Sequence, residues 1–181
     1  MQLSKPVLLT TTGKYTIAPI EQGQYYRLDS DNPGEYFLFE CRSLSGWDRY
    51  IGGCGMLAYH VDRSMNDAGF SALYNQNVTA ADRWGSGNQG NAFAAHQCAD
   101  LIEADGRMDV YSSPYDQTYQ NYAQSIQGIF FPHSRANSLT PLSYPGLGCW
   151  GKATVSKSIA NIAYDGNQVS FRLSRSTGDV P

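Results

Sequence analysis

Residues 159–173 read IANIAYDGNQVSFRL. Val169, Phe171 and Leu173 alternate with Ser170 and Arg172, which is the period of a strand with one buried face. A helix would space its apolar residues three and four apart, and the second run does not. Asp165-Gly166-Asn167 lies between the two runs and supplies turn chemistry. The segment is therefore a β-hairpin whose apolar face needs another layer to cover it.

The same grammar recurs upstream. Strands are predicted at 14–20, 25–28, 36–40, 56–61, 99–103, 108–111, 159–164 and 169–173. The run YFLFE at 36–40 is nearly all apolar and reads as a central strand covered on both faces. Asp105-Gly106 is a turn signal between 99–103 and 108–111. Longer stretches, 63–95 and 112–143, read as irregular, with a modestly helical centre at 117–126. Structureless loops of that length are usually functional or held by ions or partners.

Composition agrees, with Gly 18, Pro 8, Tyr 13 and 16% charged residues. The expected fold is all-β with minor helix, a β-sandwich or jelly-roll-like single domain over 1–181 ending in a frayed tail at 174–181. At 181 residues and 41% hydrophobic content the chain can bury a real core.

Charge excludes some functions. The net charge is -3 with 13 Lys and Arg, and no basic run is present, so nucleic acid is not an expected partner. No run approaches the roughly 18 apolar residues of a membrane span. The start, MQLSKPVLL, does not read as a signal peptide. The expectation is a piece of a longer secreted or cell-surface protein, whose own signal is not in this chain.

Several side-chain groups invite chemistry. His60 and Asp62 share one strand face and could ligate a metal or pair, with the carboxylate orienting the imidazole. No third ligand lies at a zinc-like local spacing, and a structural polar pair at the strand end is the favoured alternative. His96, Cys98 and Asp100 have the parity of a nucleophilic triad, but neighbours along one strand point in parallel and do not converge. Asp62, Asn66 and Asp67, and then Glu103, Asp105 and Asp109, are oxygen-rich turn clusters and candidate calcium ligands, set against ordinary solvated or backbone-capping carboxylates. Trp47, Trp84 and Trp150 with the tyrosines are candidates for a sugar-stacking platform or for core packing. Cys41, Cys54, Cys98 and Cys149 contain no CxxC pair and are disulfide candidates or free buried thiols. Asn77-Val78-Thr79 is a glycosylation sequon. The chain has no HExxH, no GxSxG and no phosphate-binding P-loop.

One ordered set of motifs carries a resemblance. GEYFLFECRSLSGWDRYIGGCGMLAYHVD at 34–62 is similar to a segment of secreted zinc metallopeptidases of the immune inhibitor A type. Glu35-Tyr36-Phe37-Leu38-Phe39-Glu40 with Arg42, then Gly46-Trp47-Asp48, then Gly53, Gly55, Met56, Leu57, Tyr59, His60, Val61 and Asp62 fit that family's pattern. HQCADLIEADG at 96–106 resembles its next motif. FFPHS at 130–134 resembles its F-P-G turn, with His133 in place of glycine. Thr140-Pro141, Trp150-Gly151 and the closing hairpin follow in order, so the family-like region covers 29–173. Cys41 stands where the family usually has asparagine, and the other three cysteines are outside its pattern.

The resemblance implies the β-rich region that follows a catalytic core. No zinc ligand carries over, and zinc belongs only to a catalytic domain absent from this chain. The expectation is a non-catalytic accessory domain of a metalloendopeptidase-like hydrolase. It would support its own upstream catalytic domain, or bind substrate, an extracellular protein or a glycan. The alternatives are a carbohydrate-binding module and a calcium-stabilised structural surface domain. Glu40, Arg42, Asp48, His60 and Asp62 are expected to form one structural polar network, or a ligand site.

Overall fold

The computed structural model describes residues 5–85, 89–93, 95–106 and 126–176. Within them the strands are β1 (Val7–Leu8), β2 (Gly13–Ile17), β3 (Tyr25–Asp29), β4 (Glu35–Arg42), β5 (Gly55–Asp62), β6 (Asp67–Ser71), β7 (Gln76–Thr79), β8 (Ala99–Leu101), β9 (Lys157–Tyr164) and β10 (Val169–Arg175). Helix is minor: α1 (Ala80–Gly85) and short 3-10 turns at Ile20–Gln22 and Gly46–Tyr50. The fold is all-β with minor helix. No helix among the described residues is long and apolar enough to cross a membrane.

The strands form a five-stranded sheet in the order β1-β3-β4-β5-β8, a three-stranded sheet in the order β2-β10-β9, and a separate β6-β7 hairpin. The C-terminal hairpin forms as its sequence demands. Val169 pairs with Tyr164 and Leu173 with Ile159. The Asp165 carboxylate accepts the backbone N–H groups of Asn167 and Gln168, and those bonds hold it below the usual carboxylate range. Gly166 takes the positive φ of 97° that the turn requires. On its other edge β10 pairs with β2, so that Phe171 lies opposite Tyr15 with the rings stacked 5.5 Å apart.

Both larger sheets contribute to one buried cluster. Tyr26, Leu28, Phe37, Phe39 and Met56 come from the first, and Ile17, Ile159, Val169, Phe171 and Leu173 from the second. The run 36–40 is central as expected, with β4 between β3 and β5, but its two faces are covered unequally. β4 alternates along its length between fully buried and half-buried residues. Glu35, Phe37, Phe39 and Cys41 face the core, while Tyr36, Leu38, Glu40 and Arg42 face the other side. The apolar run hid this alternation because half of its hydrophobes lie on the partly open face.

The glycines before β5 allow a close approach. A Cβ on Gly55, where φ is +130°, would stand 2.4 Å from the carbonyl oxygen of Phe131. One on Gly53 would stand 2.4 Å from the Phe130 ring. Their absence lets the 130–132 segment pair with Met56 through reciprocal backbone bonds of 2.8 and 2.9 Å.

The stretch 63–95, expected to be irregular, holds β6, β7 and α1. Its apolar pattern is thin because a buried cation does part of the work of a core. Arg83, 1% exposed, donates to the carbonyls of Ala68, Gly69 and Phe70. β10 runs on through Ser174 and Arg175, both assigned from sequence to the tail. The strand expected at 108–111, and the helical centre at 117–126 apart from Ile126, lie outside the described residues.

Candidate functional site

The antiparallel register of β4 and β5 places Glu35 opposite Asp62 and Phe37 opposite His60. All four side chains lie on the core face. Glu35 is 1% exposed and Asp62 fully buried. A carboxylate accepts and does not donate, so each adjoining imidazole presents an N–H. His60 Nε2 donates to Glu35 Oε1 at 2.8 Å. His96 Nε2 donates to Asp62 Oδ2 at 2.7 Å. Two buried acid–histidine pairs therefore lie side by side.

The remaining carboxylate oxygens hold loops. Glu35 Oε1 also accepts the backbone N–H of Trp150 at 2.6 Å, and Oε2 accepts the side-chain amides of Asn32 and Asn66. Asp62 Oδ1 accepts the N–H of Ser64 at 2.8 Å. The Trp84 indole donates to the Asp62 carbonyl at 2.6 Å. Trp150 links the two pairs through its ring, stacking on His96 at 4.2 Å and on His60 at 6.1 Å. Phe37 also stacks on His60, at 4.7 Å. Trp150 Nε1 is the one buried side-chain nitrogen or oxygen among the described residues with no hydrogen-bond partner.

A cleft of about 210 Å³ adjoins His60. Its walls include Asp100, Ile102, Glu103, Tyr144 and Pro145. Asp100 reaches it because β8 pairs with β5 and sets Asp100 opposite His60.

The five residues expected to share one polar network form two. Glu40, Arg42 and Asp48 are on the far face of the sheet. Arg42 donates to Glu40 and to Asp48 at 2.8 and 2.9 Å, and Tyr59 donates to Glu40 at 2.8 Å. Burial works against the Arg42 charge, but Glu40 and Asp48 outweigh it and raise its pKa. Burial and the Glu40 charge likewise push the Tyr59 phenol up. His60 and Asp62 belong to the core face with Glu35, because neighbouring strand residues point to opposite sides.

The oxygen-rich turns also separate. Asp62 and Asn66 join the Glu35 cluster, whereas exposed Asp67 accepts from the Gly69 N–H and the Asn77 amide, which lower its pKa. Glu103 lines the cleft, the Asp105 backbone N–H bonds the carbonyl of Gly128, and Asp109 lies outside the described residues. Among the described residues, no group of three His, Cys, Asp or Glu side chains is placed to hold a metal ion.

His96, Cys98 and Asp100 do not converge as a triad: His96 faces Asp62, while Asp100 lines the cleft. All four cysteines are free thiols. Burial, with Asp62 nearby, pushes the Cys98 thiol up to about 11, opposite to the depression that activates a nucleophilic cysteine. The tryptophans do not share a platform. Trp84 donates to the Asp62 carbonyl and Trp150 stacks on His96, while Trp47 and Tyr50 stand 91% and 88% exposed.

Sequence reasoning missed Glu35 as a site residue and set His96 aside. Pairing 35–42 against 55–62 as a hairpin would have placed Glu35 beside Asp62. Nothing local in the sequence points from His96 to a carboxylate 34 positions away.

No family model, curated protein or solved structure matches this chain.

Proposed function

We propose that this domain is a non-catalytic accessory module of a secreted zinc-metallopeptidase-like protein, supporting an upstream catalytic domain or binding its substrate or partner. The motif order set out above supplies the family context. One observation carries the non-catalytic part: all four carboxylate oxygens of Glu35 and Asp62 accept hydrogen bonds that tie loops to the sheet. Such carboxylates serve architecture. A general base instead keeps an oxygen or nitrogen within reach of substrate. The purified chain is expected to leave casein intact with zinc added. Robust turnover that a chelator abolishes would overturn the proposal.

Exposed Trp47 and Tyr50 favour a second reading, a carbohydrate-binding module. Large solvated aromatic faces suit sugar stacking and have no role in this core. A glycan array with hits lost in Trp47→Ala would support it, and an array without hits would remove it.

A further inference from the structure

We infer that the groove at the end of the β9-β10 hairpin away from its turn binds an acidic oligosaccharide, one whose sugar units carry sulfate or carboxylate groups. The proposal names a ligand for the partner-binding part of the accessory-module reading and rests on it.

The inward residues of this hairpin build the core: Ile159 on β9, and Val169, Phe171 and Leu173 on β10. One step further along, the same side of the ladder carries Lys157 opposite Arg175. Strand parity keeps both on the core side, where a hydrophobic pair would extend the core. Like charges directly opposite each other cost stability, and an anion between them removes that cost. Neither cation has an ion pair with a described residue. β2 pairs with the other edge of β10, Gly13 opposite Leu173, and so brings the threonines at 10–12 alongside. With Ser156 and Ser176 they complete a groove of about 670 Å³. Its walls are held in place. The Leu9 N–H donates to the Arg27 carbonyl at 2.8 Å, the Ser176 N–H to the Ser156 carbonyl at 2.9 Å, and the Tyr15 hydroxyl to the Thr11 carbonyl.

The lining selects the ligand. Its described residues are two cations and hydroxyl side chains, with no carboxylate and no apolar residue. The Arg175 fork suits the paired oxygens of a sulfate or carboxylate, and Lys157 adds a point charge. Serine and threonine hydroxyls both donate and accept, as sugar hydroxyls do. The volume falls within the roughly 300–1,000 Å³ of small-molecule sites, which suits sugar units rather than a lone inorganic anion. Nucleic acid calls for stacking aromatics or a long basic stripe, and the lining supplies neither.

The test is calorimetric titration of the intact chain with a heparin tetrasaccharide, a galacturonate tetrasaccharide and neutral maltotetraose. Saturable binding of an acidic probe is expected, and the tighter of the two assigns sulfate or carboxylate. The neutral probe should bind about tenfold more weakly or worse, as loss of a charged hydrogen bond implies. Arg175→Gln and Lys157→Gln should each weaken acidic binding by a similar factor without lowering the melting temperature, since each relieves a repulsion. Arg172→Gln removes the same charge from the outward face of β10 and should bind as wild type. The proposal is overturned by equal binding of maltotetraose, by no saturable binding, or by equal losses in Arg172→Gln and Arg175→Gln. Inorganic sulfate, a glutamate peptide or a DNA oligomer binding as tightly overturns it too. Trp47→Ala should keep the acidic isotherm. A loss there that Arg175→Gln does not share moves the glycan to Trp47 and overturns the groove alone. Casein turnover would overturn the non-catalytic reading and leave the isotherm unchanged, so the ideas fail separately.

Discussion

At the scale of single residues, the site is decided by what two carboxylates can reach. Glu35 accepts from His60, Trp150, Asn32 and Asn66. Removing one partner of a buried, hydrogen-bonded pair leaves the others desolvated and unsatisfied. Glu35→Ala should therefore destabilise the chain by about 3–5 kcal/mol, read as a lower urea midpoint. Glu40→Ala, on the half-open face, should cost about 1–2 kcal/mol, because its partner Arg42 keeps Asp48 and solvent. If the two substitutions cost the same, the claim that Glu35 organises the core face is wrong. The difference cannot be read from either residue alone. Both are glutamates on one strand, and only their parity relative to Phe37 and Phe39 assigns them to different faces.

At the scale of elements, the sequence was most legible where strand period and turn chemistry agreed. The closing hairpin, β4 and β5 all form close to where alternation and glycine punctuation put them. The β6-β7 hairpin was not legible. Its residues are small or polar, and Arg83 takes the place of a hydrophobic stripe by filling backbone carbonyls. The join of β5 to the 130–132 segment was visible only as a cluster of glycines whose purpose lay in a distant part of the chain, at Phe130 and Phe131. That join yields a contrast. Gly55→Ala forces a side chain into φ +130° and against the Phe131 carbonyl, and should cost roughly 1–3 kcal/mol in strain alone. Gly85→Ala, with nothing within 4 Å of the added Cβ, should be neutral or stabilising by up to about 1 kcal/mol. Thermal melts of the two variants decide the point, and a Gly55→Ala melt equal to wild type would refute the close-approach argument.

At the scale of the whole molecule, the protonated thiols couple the core to pH. Burial pushes Cys41 up to about 11, helped by the neighbouring Cys54 and Asp165. Burial pushes Cys98 to about 11 and, with Glu35 and Asp31 nearby, Cys149 to about 12. Tyr164 moves the same way, to about 12, through burial and its contact with Cys54. Each neutral form is favoured by folding. Below the ordinary thiol value of 9.0, folded and unfolded states are both protonated and the contribution is fully present. As pH rises further, unfolded thiols ionise while folded ones resist, so the stability is lost progressively up to the folded values near 11 to 12. Urea midpoints should hold from about pH 7 to 9 and then fall steeply by about pH 10.5. Native alkylation of Cys41 and Cys98 at about pH 8 should be slower than in urea by on the order of a hundredfold, since the thiolate is the nucleophile. A midpoint flat across that range in fully reduced protein would show that the buried thiols do not govern the alkaline limit of this fold.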